Sequence, residues 1–378
     1  MPRSLDKLGM TADDSPVFLP FQFSCLCYAA SVMKPLSRDE LVYGFTPEPG
    51  LVAVEHAPGE TADAMTLFLR RGGQLFTRSE PFSPFLWLTK PDYLDGFEPL
   101  TEIERLAGEN PFRALARFPT WAALERALGH LRKTTSRTPS DPGAPYFVIR
   151  DPVQQFLLDT GRTSFRDLLL PDLKFLFLDL ETDCGPDHEF SNADREEDRI
   201  LAIALADGQG WEQVLDGREF DEKALLKEFT AIVRKRDPDV LAGHNLFKFD
   251  LPYLAARAKR HRVPLALGRD GSRPESHASR FTAAERTVAY DRCHLHGRQV
   301  VDTYLLALAY DVSHRALESH SLKTVARHFG VAAPDRTYLE GRDIAPAFRE
   351  DHAAFLRYAA DDIRETAAIT PILLGANF

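Results

Sequence analysis

A chain of 378 residues with 44% hydrophobic residues can fill the cores of two or three domains. Its formal charge of −10 excludes a broadly basic nucleic-acid coat, although a local patch or a bound cation can reverse the field at one site. The four cysteines (Cys25, Cys27, Cys184, Cys293) are too few and scattered for a disulfide scaffold, and Cys25-x-Cys27 lacks the second pair of a zinc finger, which fits a reducing cytoplasm.

In chain order, the apolar run Val17–Met33 carries Pro20 and Gln22 and follows Asp13 and Asp14, so it suits neither a membrane span nor a secretory signal. Residues 1–35 are expected to be a poorly ordered leader, with Met33 as a candidate alternative start. From Gly50 to about residue 89, short β-rich runs separated by Gly and Pro predict a small sheet. Trp121, Leu124, Leu128 and Leu131 recur at helical spacing behind Thr120, a candidate N-cap. Thr134–Pro145, rich in Ser, Thr, Pro and Gly, is the best linker candidate. The expected organisation is therefore a β-rich domain over 36–145, a bridge over 146–172 and a second domain over 173–378.

In that second domain, "FLFLDLET", "RILAIALAD" and "WEQVLDG" read as strands. "DEKALLKEFTAIVRKRDPD" then reads as an amphipathic helix with Leu225, Leu226, Phe229, Ile232 and Val233 on one stripe. Further strands are expected at "DVLAGHN" and "RQVVDTYLLAL". Helices are expected at "LPYLAARAKRHRV", at "SLKTVARHFG" up to Gly330, and at "HAAFLRYAADDIRETAAIT" up to Pro371. The pattern predicts an α/β fold, with a mixed sheet and helices packed on it.

Asp179 and Glu181, two apart on a strand, share a face. Two like charges there are costly unless a cation joins them, or unless they sit at a wet strand end with ion-pair partners. Asp250 in "GHNLFKFD" stands where a helix begins and can equally serve as a cap or dipole partner. Tyr358 and Asp362 in "YAADD" lie four apart on one helical face, which alone is compatible with a plain polar surface. Asp302 in "VVDTYLL" reads as supporting structure. Asp361 and Asp183 are out of register with the rest.

The ordered set "LDLET", "HNLFKFD" and "YAADD" resembles the DEDD exonuclease superfamily, specifically the 3′–5′ exonuclease domain of family B DNA polymerases. Tyrosine four residues before the last aspartate marks the tyrosine subclass. The likeness covers about residues 172–378, and more loosely the β-rich region before it. It implies a ribonuclease H-like fold and hydrolysis assisted by two divalent ions, Mg²⁺ or Mn²⁺, about 3.5–4 Å apart. It further implies that Asp179, Glu181 and Asp362 hold one ion, that Asp179 and Asp250 contact the other, and that Tyr358 orients the attacking water. Asn245 and Phe249 become candidates for contact with the 3′-terminal nucleotide, with Leu180 and Thr182 lining its base site. His244 stands where many relatives carry an aromatic residue.

The expected function is a 3′–5′ exodeoxyribonuclease of proofreading or repair type, acting on single-stranded or frayed DNA 3′ ends in the cytoplasm near the nucleoid. A polymerase or repair protein is a candidate partner, and no membrane association is expected. RNA 3′ ends are an alternative substrate, since nothing in these motifs reads a 2′-hydroxyl. A nuclease-like binding or assembly module of a split or truncated polymerase is a second alternative. No segment resembles the acidic motifs of a polymerase palm, so polymerisation is not expected. Seven arginines against four acids between Arg262 and Arg298 form a candidate strand-guiding surface or a plain solvated hairpin. His294 and His296 beside Cys293 lack a fourth metal donor in the local sequence.

Overall fold

The computed structural model describes residues 37–185 and 187–375, and counts of elements refer to those residues; the expected leader lies outside them. A short helix α1 (Arg38–Tyr43), capped by Ser37, precedes an antiparallel sheet of β1 (Leu51–Ala57), β2 (Asp63–Arg71) and β3 (Gln74–Phe82) in that order. A second sheet holds β4 (Phe85–Leu88), β5 (Glu102–Arg105), β6 (Ala114–Arg117) and β7 (Tyr146–Phe147) in the order β5-β6-β4-β7. Helix α2 (Trp121–Thr135) covers it, starting where the Thr120 hydroxyl accepts the Ala123 N–H at 3.2 Å. Its Leu124, Leu128 and Leu131 pack with Leu86, Leu88 and Tyr146 in one core.

The stretch expected to be a linker is corrected by that core. Thr134 and Thr135 still belong to α2, and the chain turns back so that Tyr146 and Phe147 pair with Leu88 and Trp87 of β4. The Pro and Gly residues make a return loop within one unit, because burying Tyr146 requires the strand to close the sheet. The boundary expected at 145/146 therefore falls inside the second sheet. Helix α3 (Pro152–Thr160), capped by Asp151, then packs on β1 through Phe156.

The larger sheet contains β8 (Phe175–Thr182), β9 (Ile200–Ala206), β10 (Glu212–Asp216), β11 (Val240–Gly243) and β14 (Gln299–Asp302), in the order β10-β9-β8-β11-β14. β8, β9 and β10 are antiparallel neighbours, whereas β11 is parallel to both β8 and β14. Between β11 and β14 the chain makes a projecting antiparallel hairpin, β12 (Glu275–Ala283) and β13 (Arg286–His294). The helices are α4 (Glu222–Arg236), α5 (Asp250–His261), α6 (Thr303–His314), α7 (Leu322–His328), α8 (Gly341–Glu350) and α9 (His352–Gly375). This mixed sheet flanked by helices, after a β-rich region, is the expected fold class.

Strand alternation sorts the two faces of β8. Leu176, Leu178 and Leu180 pack under α4 and α5, where all five stripe residues of α4 are buried. Phe177 faces the other way, toward Ala359 and Ile363 of α9. α9 does not stop at Pro371 as expected but continues to Gly375. Ile369 and Leu373, on either side of the proline, are buried against Val325 and Ala326, and that packing outweighs the lost backbone hydrogen bond.

The first sheet docks on the larger one. Val52, Ala53 and Phe68 share a core with Phe177 and Val240. Beside it Arg70 donates to both carboxylate oxygens of the buried Asp239, at 3.0 and 2.6 Å. Arg269 and Arg298 join this network through Asp237 and Asp239, so two of the seven arginines expected on a strand-guiding surface are buried as structural cations. Among the described residues, no helix is long and apolar enough to cross a membrane.

Candidate active site

Because 177, 179 and 181 alternate with the leucines, Asp179 and Glu181 point at α9 from the end of β8. α9 presents Tyr358 and Asp362 on its inward face, beside Ala359 and Ile363. Ligand oxygens of Asp179, Glu181 and Asp362 lie within 4.8 Å of one another. Glu181 and Asp362 are buried and Asp179 half-buried, so the wet strand end and the polar helix surface are both set aside.

Asp250 is the first residue of α5, buried, and its Oδ1 accepts the Leu180 N–H at 3.1 Å. That bond ties the start of α5 to the strand carrying Asp179 and Glu181. The preceding loop is held by Asp302, whose Oδ1 accepts the N–H groups of Asn245 and Tyr304 at 2.9 Å and whose Oδ2 accepts that of Phe247 at 3.0 Å. Asp302 is also the N-cap of α6, so the supporting role read from the sequence has a geometry.

Two cations enter that the sequence reading did not single out. Arg336, buried, donates to Asp362 and, at 2.7 Å, to Glu365. Its guanidinium lies 5.6 Å from the Tyr358 ring centre and 4.5 Å from that of Tyr338. Lys323 Nζ sits 5.0 Å from the Tyr358 ring centre and donates to the Leu339 carbonyl at 2.5 Å. Arg336 falls in the irregular stretch "APDRTYLEG", where no period marks an inward side chain. Glu365, three residues after Asp362 on the same helix, was legible in principle.

Burial, and then the charge of Glu181, push the Asp179 carboxyl well above the usual carboxylate range. Burial and the charge of Asp362 do the same to Glu181. Asp250 is pushed up to about 8 by burial and by Asp302. Asp362 is raised by burial, against the opposing pull of Arg336. The Tyr358 phenol is raised by burial and by the Glu181 and Asp362 charges, so it stays protonated at neutral pH.

These groups open onto a cleft of about 320 Å³, also lined by Leu180, Thr182, Phe249, His244, Ile344 and the loop residues Cys184, Glu189, Phe190 and Ser191. The Thr182 hydroxyl donates to that of Ser191 at 2.9 Å, fixing the loop to the strand end. Phe249 lies in the wall, tilted on Tyr253 with ring centres 5.3 Å apart. Asn245 is not among the lining residues: it adopts φ +67° and gives its N–H to Asp302, so its position serves the loop. Phe190, 73% exposed at the rim, was not foreseen. Asp361 turns away to the Thr337 N–H, and Asp183 lies 3.4 Å from Arg349, both off the cluster.

Residues 158–325 match the family model for the exonuclease domain of DNA polymerase family B. A DNA polymerase of Archaeoglobus fulgidus is 30% identical over 210 residues, covering 55% of this chain and 24% of that protein. A DNA polymerase of Pyrococcus glycovorans is 31% identical over 176 residues, covering 42% and 21%. The chain thus spans about a quarter or less of the length of these curated relatives. The solved family B DNA polymerase of Pyrobaculum calidifontis superposes with a TM-score of 0.66 over 86% of this chain and 45% of that one; at 19% identity, that is a likeness of fold.

Proposed function

We propose that this chain is a divalent-metal-dependent 3′–5′ exodeoxyribonuclease of proofreading or repair type. The observation that carries the reading is the convergence of Asp179, Glu181 and Asp362 within 4.8 Å in a cleft. Burial raises the pKa values of all three carboxylates, and the charge of a neighbouring carboxylate adds to the rise at Asp179 and Glu181, so a cation would relieve both costs. A set of hard oxygen donors of this kind fits Mg²⁺ or Mn²⁺, with Asp250 on the neighbouring flank for a second ion. When bound, such ions make a water nucleophilic near neutral pH and stabilise charge on the attacking and leaving oxygens.

The chain's own groups do the rest. Tyr358, held as a neutral phenol, orients the attacking water by hydrogen bonding and does not act as the base. Arg336 fixes the Asp362 carboxylate and the plane of Tyr358. The water adds to phosphorus, the bond to the penultimate 3′ oxygen breaks, and that oxygen leaves as a hydroxyl after taking a proton. Phe249, Leu180 and Thr182 contact the terminal nucleotide in the cleft wall. DNA as substrate is supported by the relatives, which are named DNA polymerases.

The test is single-turnover digestion of a 5′-labelled single-stranded DNA, with Mg²⁺, Mn²⁺ or EDTA, beside Asp179→Ala/Glu181→Ala. A metal-dependent ladder shortening from the 3′ end and lost in the double variant is expected. Intact DNA in every lane, from folded protein, would overturn the enzyme reading. Faster loss of a matched RNA would redirect the substrate.

A further inference from the structure

α5 carries more than Asp250. Tyr253 and Arg257 follow on the same stripe of the helix, and both are buried. Among the described residues, Arg257 is the largest side chain to be fully buried. Each of its five N–H groups finds an acceptor. Nε and Nη2 donate to the two oxygens of Glu222, at 2.6 and 2.5 Å. Nη1 donates to the carbonyls of Ala193 and Arg195, at 3.2 and 2.6 Å, and Nη2 also donates to that of Glu196, at 3.3 Å. The remaining donors thus all go to the backbone of the connection between β8 and β9, which lines the cleft with Glu189, Phe190 and Ser191.

The same connection is tied at further points. Asp198, fully buried, takes the Gly185 N–H on Oδ1 at 3.1 Å and the Asn192 N–H on Oδ2 at 2.7 Å. Its carbonyl accepts the Tyr253 hydroxyl at 2.6 Å. Arg195, whose carbonyl is held by Arg257, turns its own Nη2 back to the Phe190 carbonyl at 3.1 Å. Most of these bonds address backbone groups, so they fix the path of the chain whatever side chains it carries. On that fixed path Phe190 leaves its ring 73% exposed instead of packing it into a core. An ordered backbone under an exposed aromatic ring suits a stacking contact, because the ordering is complete before the ligand arrives.

We propose that Arg257 and Tyr253 are positioning residues for substrate. They hold the backbone around Phe190 so that its ring meets the 3′-terminal base of a single strand. They also couple that stacking face to the helix that carries Asp250. The inference rests on the reading of the cleft as a site for a DNA 3′ end. Stacking accepts any base, so the contact adds affinity without selecting sequence.

The experiment measures binding of a fluorescein-labelled single-stranded oligonucleotide by anisotropy, in EDTA, using the full chain with Asp179→Ala/Glu181→Ala so that nothing is cut. Arg257→Met should weaken binding about tenfold, the size expected when one stacked base is lost. Tyr253→Phe, which removes only the hydroxyl and keeps the ring against Phe249, should weaken it less. Trypsin should cut after Arg195 sooner in both. The deciding arm is Phe190→Ala combined with each: with the ring gone, neither substitution should weaken binding further. Effects that multiply would overturn the proposal and make Arg257 and Tyr253 supports of the fold alone. Unchanged affinity in both single variants would do the same. Should Arg257→Met not fold, Tyr253→Phe with and without Phe190→Ala decides by the same criterion. Failure of the starting protein to bind the oligonucleotide would overturn this inference. Binding without hydrolysis by the wild-type chain in Mg²⁺ would instead overturn the exonuclease reading and leave the positioning role standing.

Discussion

Arg336 donates to the Asp362 carboxylate and lays its guanidinium 5.6 Å from the centre of the Tyr358 ring, so one buried cation touches two of the motif residues on α9. Its Nε donates to Glu365 at 2.7 Å as well. Arg336→Ala would leave two buried carboxylates uncompensated, and breaking a buried pair costs about 3–5 kcal/mol. Urea unfolding should show a loss of that size. Arg336→Lys should lose less stability yet still slow the reaction, because an ammonium cannot serve both carboxylates with the same flat fork. A loss under about 1 kcal/mol in Arg336→Ala would mean that Asp362 is not paired in solution.

Metal removal and pH are linked through the same carboxylates. Asp179, Glu181 and Asp362 all have raised pKa values, and Asp250 is pushed from 3.8 to about 8. An acid whose folded pKa lies above its unfolded one binds more protons in the folded chain. Its contribution is complete below the unfolded value and is lost as pH rises through the folded value. In EDTA the Tm should therefore fall between about pH 4 and about pH 8. Saturating Mg²⁺, which favours the ionised forms, should flatten that fall. A Tm in EDTA that rises across this window would contradict the burial of the cluster.

Much of this site was legible because its signals are periodic. Two carboxylates at i and i+2 on a strand, and a tyrosine and an aspartate at i and i+4 on a helix, fix faces before any fold is known. Leu178 and Leu180, on either side of Asp179, and Ala359, three residues before Asp362, then say how the strand and the helix pack. Arg336 and Phe190 had no such signal, since both lie on irregular segments whose direction is set by tertiary packing. The linker expectation failed for a related reason. Pro, Gly and Ser mark a reversal of the chain, and only the partner of Tyr146, on β4 far back in the sequence, says that the chain returns to the same sheet.

Phe190 stands 73% exposed on the rim of the cleft, across a loop fixed by the Thr182 and Ser191 hydroxyls. An exposed aromatic side chain there offers a stacking face to a base, worth about 1–3 kcal/mol per base. Phe190→Ala should raise KM for single-stranded DNA about tenfold, with kcat and Tm nearly unchanged. A change confined to kcat would place Phe190 outside the substrate path.

Arg70 and Asp239 join the first sheet to the larger one, with both carboxylate oxygens engaged. Asp239 also receives Arg269 and the Lys174 N–H at 3.0 Å, so it is the centre of the network. Arg70→Met should cost several kcal/mol, near the 3–5 kcal/mol of a broken buried pair, and should expose the 71–74 turn to limited proteolysis first. Unchanged proteolysis with a small stability loss would show that the apolar contacts of Val52 and Phe68 hold the sheet alone.

Asp302 tests whether the loop before Asp250 is positioned or merely adjacent. Its two oxygens take three backbone N–H groups, from Asn245, Phe247 and Tyr304, and so hold Asn245 in its left-handed conformation. Asp302→Ala would leave those donors without their partner, at roughly 1–3 kcal/mol for each that stays buried and unsatisfied. Asp302→Asn keeps one oxygen, enough for Asn245 and Tyr304, while its amide group opposes the Phe247 N–H. The two variants should therefore be graded in stability. Both should lose kcat, because Phe249 and Asp250 follow directly on the freed loop. Raising Mg²⁺ should rescue Asp302→Asn in part, since its metal-facing groups are all retained and only their alignment is loosened. Equal stability losses with full activity in Asp302→Asn would reduce Asp302 to an N-cap of α6 and leave the loop to be held by Leu246 and Phe247, which are buried in the core beside Leu251.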